Sequence, residues 1–261
     1  MIASFLRKLS VCLAAFVGLI ASAEAEELVT SLSSADVQIQ SNFTGTTIAV
    51  FGQVQRDART VGRPGAYDLA IILEGPSERV TTRRKSRFLG LWVNRDAETF
   101  ISVPSFYTIA TTRPLAVMAP RATLEKFDLG LNSLDLAIPE GAQEISLAER
   151  IGFRLAFLRL REQSGLYSVR PRTVSFLTDT MFRTTFALPA TIPVGTYKVK
   201  AYLLHGGAVL TSTEDSLEVA KTGFEQLAYT MAHEYAVYYG IIAVVLALIT
   251  GWLAGVIFRK D

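Results

Sequence analysis

Seven cations and two histidines are the residues of this chain whose types and spacing could do chemistry. Arg83, Arg84, Lys85 and Arg87 crowd together just ahead of Phe88. They sit in a stretch, Arg56 to Arg95, with nine basic residues against four acidic ones, Asp57, Asp68, Glu74 and Glu78. Placed in a loop before Phe88, such a group could meet an acidic partner, an anionic glycan or lipid headgroups, or could simply be a solvated surface. Arg150, Arg154 and Arg161 form a second group, because their spacing puts them on one face of a helix. There they could hold an anion, or snorkel and pair with acidic neighbours.

His205 falls in a turn and His233 beside an apolar segment, so a shared metal or triad role does not follow. G-x-S-x-G, a P-loop, a dinucleotide fingerprint, H-E-x-x-H and an EF-hand loop are all missing. Carboxylates are scattered, with no pair marked by a motif. No catalytic, cofactor-binding or metal residues are assigned, and no cofactor is expected.

The elements that must position these residues are mostly strands. Thr46 to Val54 is β-branched and apolar, with Gly52 read as a bulge or bend. Tyr67 to Leu73 is a continuous apolar run, the form of a buried strand, and Phe88–Val93 and Phe106–Thr111 follow. In the middle, Leu124, Phe127, Leu131 and Leu134 keep helical spacing, interrupted by Gly130. Ser146-Leu147-Ala148-Glu149 is a capping box whose helix should end near Gln163 or Ser164, with Gly165 as the stop. The strand pattern then returns at Thr173–Leu177, Phe182–Leu188, Tyr197–Leu204 and Ala208–Val219, the last two joined by a hairpin turn at His205-Gly206-Gly207. The spacing predicts a mainly β ectodomain of immunoglobulin-like antiparallel sandwich type, one or two β units with a central helical segment.

Both ends are apolar. Arg7 and Lys8 precede the run Leu9–Ile20, and Ala23 and Ala25 fit a signal-peptidase site, which predicts cleavage after Ala25. Ala236 to Phe258 carries no charge and spans roughly 34 Å as a helix, enough to cross a bilayer. Tyr229, Tyr235, Tyr238 and Tyr239 gather at its entrance, and Arg259 and Lys260 follow as a cytoplasmic stop. Ala247, Gly251 and Gly255 lie on one face of that helix and would allow close packing, as a homodimer or against another membrane protein. Cys12 is the lone cysteine and leaves with the signal, which removes thiol chemistry from the mature chain. Of 26 basic and 24 acidic residues, the two ends hold Arg7, Lys8, Arg259, Lys260, Glu24 and Asp261, leaving 22 of each. A neutral ectodomain lacks the cationic excess that nucleic-acid binding requires.

Val50-Phe51-Gly52, Leu91-Trp92-Val93-Asn94, Val103-Pro104-Ser105-Phe106-Tyr107, Pro193-Val194-Gly195-Thr196-Tyr197 and Gly223-Phe224-Glu225 carry a resemblance over nearly the whole mature chain. In these stretches the chain resembles a family of alphaproteobacterial single-pass transmembrane proteins of about this length. The resemblance implies a Gram-negative envelope location and brings no assigned activity or catalytic residues.

The expected division is a signal peptide at 1–25, a β unit at 26–120, a helical segment at 121–165, a second β unit at 166–221, a juxtamembrane helix at 222–235, a transmembrane helix at 236–258 and a cytoplasmic tail at 259–261. The expected role is an inner-membrane, periplasm-facing binding or accessory module without catalysis. Its partners would be the lipid bilayer and a membrane or envelope protein. A carboxylate-dependent hydrolase of envelope glycans is the alternative; it would show two inward carboxylates about 5–10 Å apart.

Overall fold

The computed structural model describes residues 26–55, 66–142, 145–222, 229 and 231–257. The expected signal segment 1–25, the tail 259–261 and residues 223–228 and 230 of the juxtamembrane stretch 222–235 lie outside them. The strands in chain order are β1 (Glu27–Leu32), β2 (Asp36–Ile39), β3 (Gly45–Gln55), β4 (Asp68–Glu74), β5 (Ser77–Phe88) and β6 (Leu91–Pro104). They continue with β7 (Tyr107–Thr111), β8 (Tyr167–Pro171), β9 (Ser175–Phe176), β10 (Met181–Pro189), β11 (Gly195–His205) and β12 (Ala208–Lys221). The helices are α1 (Leu115–Met118), α2 (Arg121–Lys126), α3 (Leu147–Gln163) and α4 (Ala236–Ile257).

Alternation builds the first sheet, ordered β1-β3-β10-β9 and antiparallel throughout. Its inward residues, among them Val50, Val54, Phe182 and Phe186, share one core with Leu69, Ile71, Val199 and Leu203 of a second, six-stranded sheet. That sheet runs β2-β12-β11-β4-β7-β8. Strands from before and after the helical segment thus share both sheets. Gly52, expected in a bulge, sits instead in unbroken register opposite Thr30 and Phe182. Its missing side chain makes room for the Phe182 ring.

β4 is apolar without alternation because it is covered on both faces. Leu69, Ile71 and Leu73 face the inter-sheet core, while Ala70 and Ile72 join a second core with Phe100, Phe153, Phe157 and Tyr167. The second core exists because β7 and β8 pair in parallel. A parallel pair needs a long crossover, and residues 112–166, with α1 to α3, supply it across the sheet face. β2 also pairs in parallel with β12. The fold is mainly β with one apolar C-terminal helix, but the six-stranded sheet is mixed, not the wholly antiparallel sheet expected of an immunoglobulin-like sandwich. β8, by way of its crossover, and β2 introduce the difference.

The capping box forms as its sequence demands. The Glu149 amide donates to Ser146 Oγ (3.3 Å) and the Ser146 amide to Glu149 Oε2 (3.2 Å). The Ser146 hydroxyl also donates to Glu149 Oε2 (2.9 Å), the main reason the carboxyl ionises below its ordinary range. Ser146→Ala is expected to destabilise the domain by about 1 kcal/mol in thermal or denaturant unfolding at neutral pH. A depressed acid stabilises the fold above its ordinary value and stops doing so as the pH falls through the lowered one. The gap between Ser146→Ala and wild type should therefore shrink in acid; a constant gap would remove Glu149 from the cap. α4 spans 22 residues, with Ala236–Gly255 long and apolar enough to cross a membrane.

Candidate functional site

The cations expected in a loop before Phe88 lie in a strand. β5 and β6 form a long antiparallel hairpin that leaves the six-stranded sheet at Ser77 and returns at Pro104. Its base is held by the domain. Thr82 and Glu98 are opposite one another and buried, and Phe100 lies in the second core, its ring centroid 5.6 Å from that of Phe157. Beyond Arg84 the ribbon leaves the domain and runs for about 15 Å as a free two-stranded ladder. Phe88–Val93, read as one strand, is the folded-back tip of this ribbon, with Leu89 and Gly90 as the turn.

Of the four arginines of α3, Arg150, Arg154 and Arg161 tie the helix down. Arg161 pairs with Glu78 at the root of β5, its guanidinium 5.3 Å from the Phe157 ring centroid. Arg150 stands 3.6 Å from buried Glu98. Arg154 donates to the carbonyl oxygens of Leu134 (2.6 Å) and Asn132 (3.1 Å), fastening the irregular middle of the crossover between α2 and α3. These are the acidic and backbone neighbours that snorkelling arginines find. Arg84 extends the same system, with Asp96 at 2.8 Å and Glu149 at 3.6 Å. Together the pairs Arg161–Glu78 and Arg84–Glu149 lay β5 antiparallel along α3. Arg83, Lys85, Arg87, Arg95 and Arg159 are different: among the described residues none has a carboxylate partner. Arg56, Asp57, Arg59 and Arg63 lie outside the described residues.

Two clefts flank α3. One, of 560 Å³, opens between β5 and the helix and brings Arg83, Arg84, Lys85 and Arg159 around Glu149 and Phe153. The other, of 510 Å³, lies against the crossover and is lined by Leu115, Leu124, Leu131, Leu155, Leu158 and Val169. Each cleft has one carboxylate among its described lining residues, Glu149 and Glu162. No group of three or more His, Cys, Asp or Glu able to hold a metal occurs among the described residues. The apolar face of α3 is wider than the domain covers. Phe153, Phe157 and Leu158 are buried, while Leu147, Ile151 and Leu155, one turn apart on the adjoining flank, stand in water. The sequence marks Arg150, Arg154 and Arg161 of this helix but not its uncovered row: the repeat Leu147, Ile151, Leu155 is visible, and nothing local marks a row as uncovered. In α4, Ala247, Gly251 and Gly255 are exposed, and the two glycines have no heavy atom close to where a Cβ would stand.

His205 ends β11, its ring centroid 5.6 Å from that of Tyr67, and His233 stacks on Tyr229 at 4.1 Å near the start of α4. Nothing in the described residues brings them to a common site.

Across residues 27–260 the chain matches a family described as "Putative transmembrane protein (Alph_Pro_TM)". A comparison with curated proteins finds no match. With its candidate span at the C-terminus, the chain belongs to this alphaproteobacterial transmembrane family.

Proposed function

We propose that this member of the alphaproteobacterial transmembrane family is an anchored binding or accessory module without catalytic activity. Its β-rich domain works in the periplasm, its C-terminus lies in the cytoplasm, and it docks another envelope protein along α3. One observation carries the reading: the uncovered apolar row Leu147, Ile151, Leu155 beside a cleft lined by leucines. A helix packed on a domain turns polar residues to water on its free face. Here the row follows the i, i+4, i+8 spacing by which helices grip grooves, and exposed apolar patches of this kind mark interaction sites. The unpaired Arg83, Lys85 and Arg159 along the opposite cleft complement an acidic partner.

Site-specific photo-crosslinking tests it. A photoreactive residue at Ile151 is expected to join one envelope protein in living cells, and the same residue at Thr185, on the exposed face of the other sheet, is not. Leu155→Asp should lower the Ile151 yield about tenfold or more. Phosphatase reporters fix the side, active after Val219 and silent after Asp261. Equal products from both positions, or none from Ile151, would sink the docking surface; an active reporter at the C-terminus would reverse the orientation.

A further inference from the structure

The tip of the β5–β6 hairpin is built unlike a solvent-exposed turn. Phe88, Leu89, Leu91 and Trp92 are 53%, 88%, 70% and 70% exposed. In a two-residue hairpin turn of type I′ both central residues take positive φ, which Asn-Gly or Gly-Gly adopt easily. This turn is Leu89 at φ 47° and Gly90 at φ 85°. A leucine in the left-handed region is strained, and Leu89 gains no packing in the domain to offset it.

The register divides the ribbon. Phe88 opposes Leu91 and Ser86 opposes Val93, so these share one face; Arg87 opposes Trp92 and Lys85 opposes Asn94 on the other. A bulge at Arg84/Lys85 leaves Arg95 as an extra residue, with its guanidinium 5.9 Å from the Phe88 ring centroid. From Arg83 to Arg95 there are five cations and no acidic residue. Apolar side chains therefore occupy both faces of the extreme tip. Behind them Arg83, Lys85, Arg87 and Arg95, which have no carboxylate partner among the described residues, form a collar, while Arg84 pairs with Asp96.

We propose that this tip is a wedge that inserts into an anionic phospholipid surface. A protein contact would bury one face; apolar groups on both faces and at the turn suit a medium without fixed shape. Aromatic and basic side chains behind an apolar end match the headgroup layer, where Trp and Arg keep both water and hydrocarbon contacts. The collar meets the negative potential of anionic headgroups. α4 keeps a bilayer at high effective concentration beside the ectodomain, so even a weak wedge would be occupied. The apolar tip lies beyond the α3 cleft, although Arg83 and Lys85 line that cleft as well as the collar. The wedge would set the angle and height of the ectodomain, fixing the direction in which α3 is presented.

The chain has two tryptophans, Trp92 and Trp252. In full-length Trp252→Phe protein reconstituted in vesicles, Trp92 fluorescence reports the tip alone. With phosphatidylglycerol present, acyl-chain bromolipids are expected to quench Trp92 and aqueous iodide is not. Arg87→Glu with Arg95→Glu should cut bromolipid quenching about fivefold or more, as should vesicles of phosphatidylcholine alone. Leu89→Asn with Leu91→Asn, at positions that pack on nothing in the domain, should do the same without changing the unfolding temperature. Trp92 open to iodide in every vesicle would overturn the proposal. Quenching that ignores lipid charge and the collar reversal would overturn its anionic part. A tip shielded only in native membranes, with tip crosslinks to protein, would reassign the surface to a protein partner.

Discussion

Raising the pH beyond about 10 is expected to destabilise the β-rich domain steeply, the slope approaching about 4 kcal/mol per pH unit. Three tyrosines with buried side chains produce this slope. Tyr107 donates to the Asp128 carbonyl (2.7 Å) and accepts from the Gly130 amide (2.9 Å). Tyr167 donates to the Pro104 carbonyl (2.5 Å) and Tyr197 to the Pro193 carbonyl (2.6 Å). Loss of solvation raises all three hydroxyl pKa values well above the ordinary tyrosine range. At Tyr167 the Arg161 charge opposes the rise while Glu78 and Glu74 add to it. A raised pKa stabilises the fold fully below the unfolded value, about 10, and that contribution is lost as pH climbs toward the folded one. Each group that is ionised unfolded and protonated folded adds about 1.4 kcal/mol per unit, so a domain stable by roughly 5–15 kcal/mol fails within a few units. Denaturant midpoints at stepped alkaline pH, with tyrosinate absorbance as the second probe, measure it. Each Tyr→Phe change should remove about a third of the slope. A flat profile, or tyrosinate appearing before unfolding, would mean that the hydroxyls are not sealed. The result bears on function, because Tyr167 pins the return of the hairpin to the sheet and Tyr107 pins the irregular middle of the crossover.

What could be anticipated from the amino-acid order was what local chemistry decides. The β4 run, the Ser146 capping box, the Gly165 stop and the uncharged stretch after Tyr235 each carry their signal within one segment. The hairpin does not. Above Thr82 both faces of β5 are wet, so Arg83-Arg84-Lys85-Ser86-Arg87 lacks the alternation that marks a half-buried strand and passes for a loop. Its conformation comes from β6, whose register is a pairing property. The parallel β7–β8 pair was hidden for the same reason, as a crossover has no signature at the strands it joins. Cation identity was legible; cation role was not. Arg150 and Arg161 differ from Lys85 and Arg87 by having Glu98 and Glu78 across the fold, far away in the chain.

Gly52→Ala should be among the most damaging single-methyl additions to this chain, destabilising it by about 3 kcal/mol. Gly52 lies within β3, flanked by β1 and β10, where any residue with ordinary strand geometry would pair equally well. The constraint is the space above it. A Cβ would stand 2.7 Å from Phe182 Cε1 and 2.7 Å from the Val29 carbonyl oxygen, contacts that real structures avoid. Phe182 is fully buried and edge-on to Phe176 at 6.3 Å, so its ring can retreat only by displacing its neighbours. The carbonyl belongs to the paired strand β1, and moving it would break the ladder between Thr30 and Gly52. Shrinking the ring separates the two obstacles. Phe182→Leu alone should cost about 1–2 kcal/mol through the lost packing. Combined with Gly52→Ala it should cost less than the sum of the two single changes, because the methyl partly fills the space that the ring vacates. Denaturant unfolding of the four proteins gives the coupling directly. Strict additivity would put the clash at the Val29 carbonyl and make the need for glycine a matter of backbone spacing between β1 and β3. A Gly52→Ala protein as stable as wild type would mean that the ring and the strand yield together, and that glycine at this position is not required by packing.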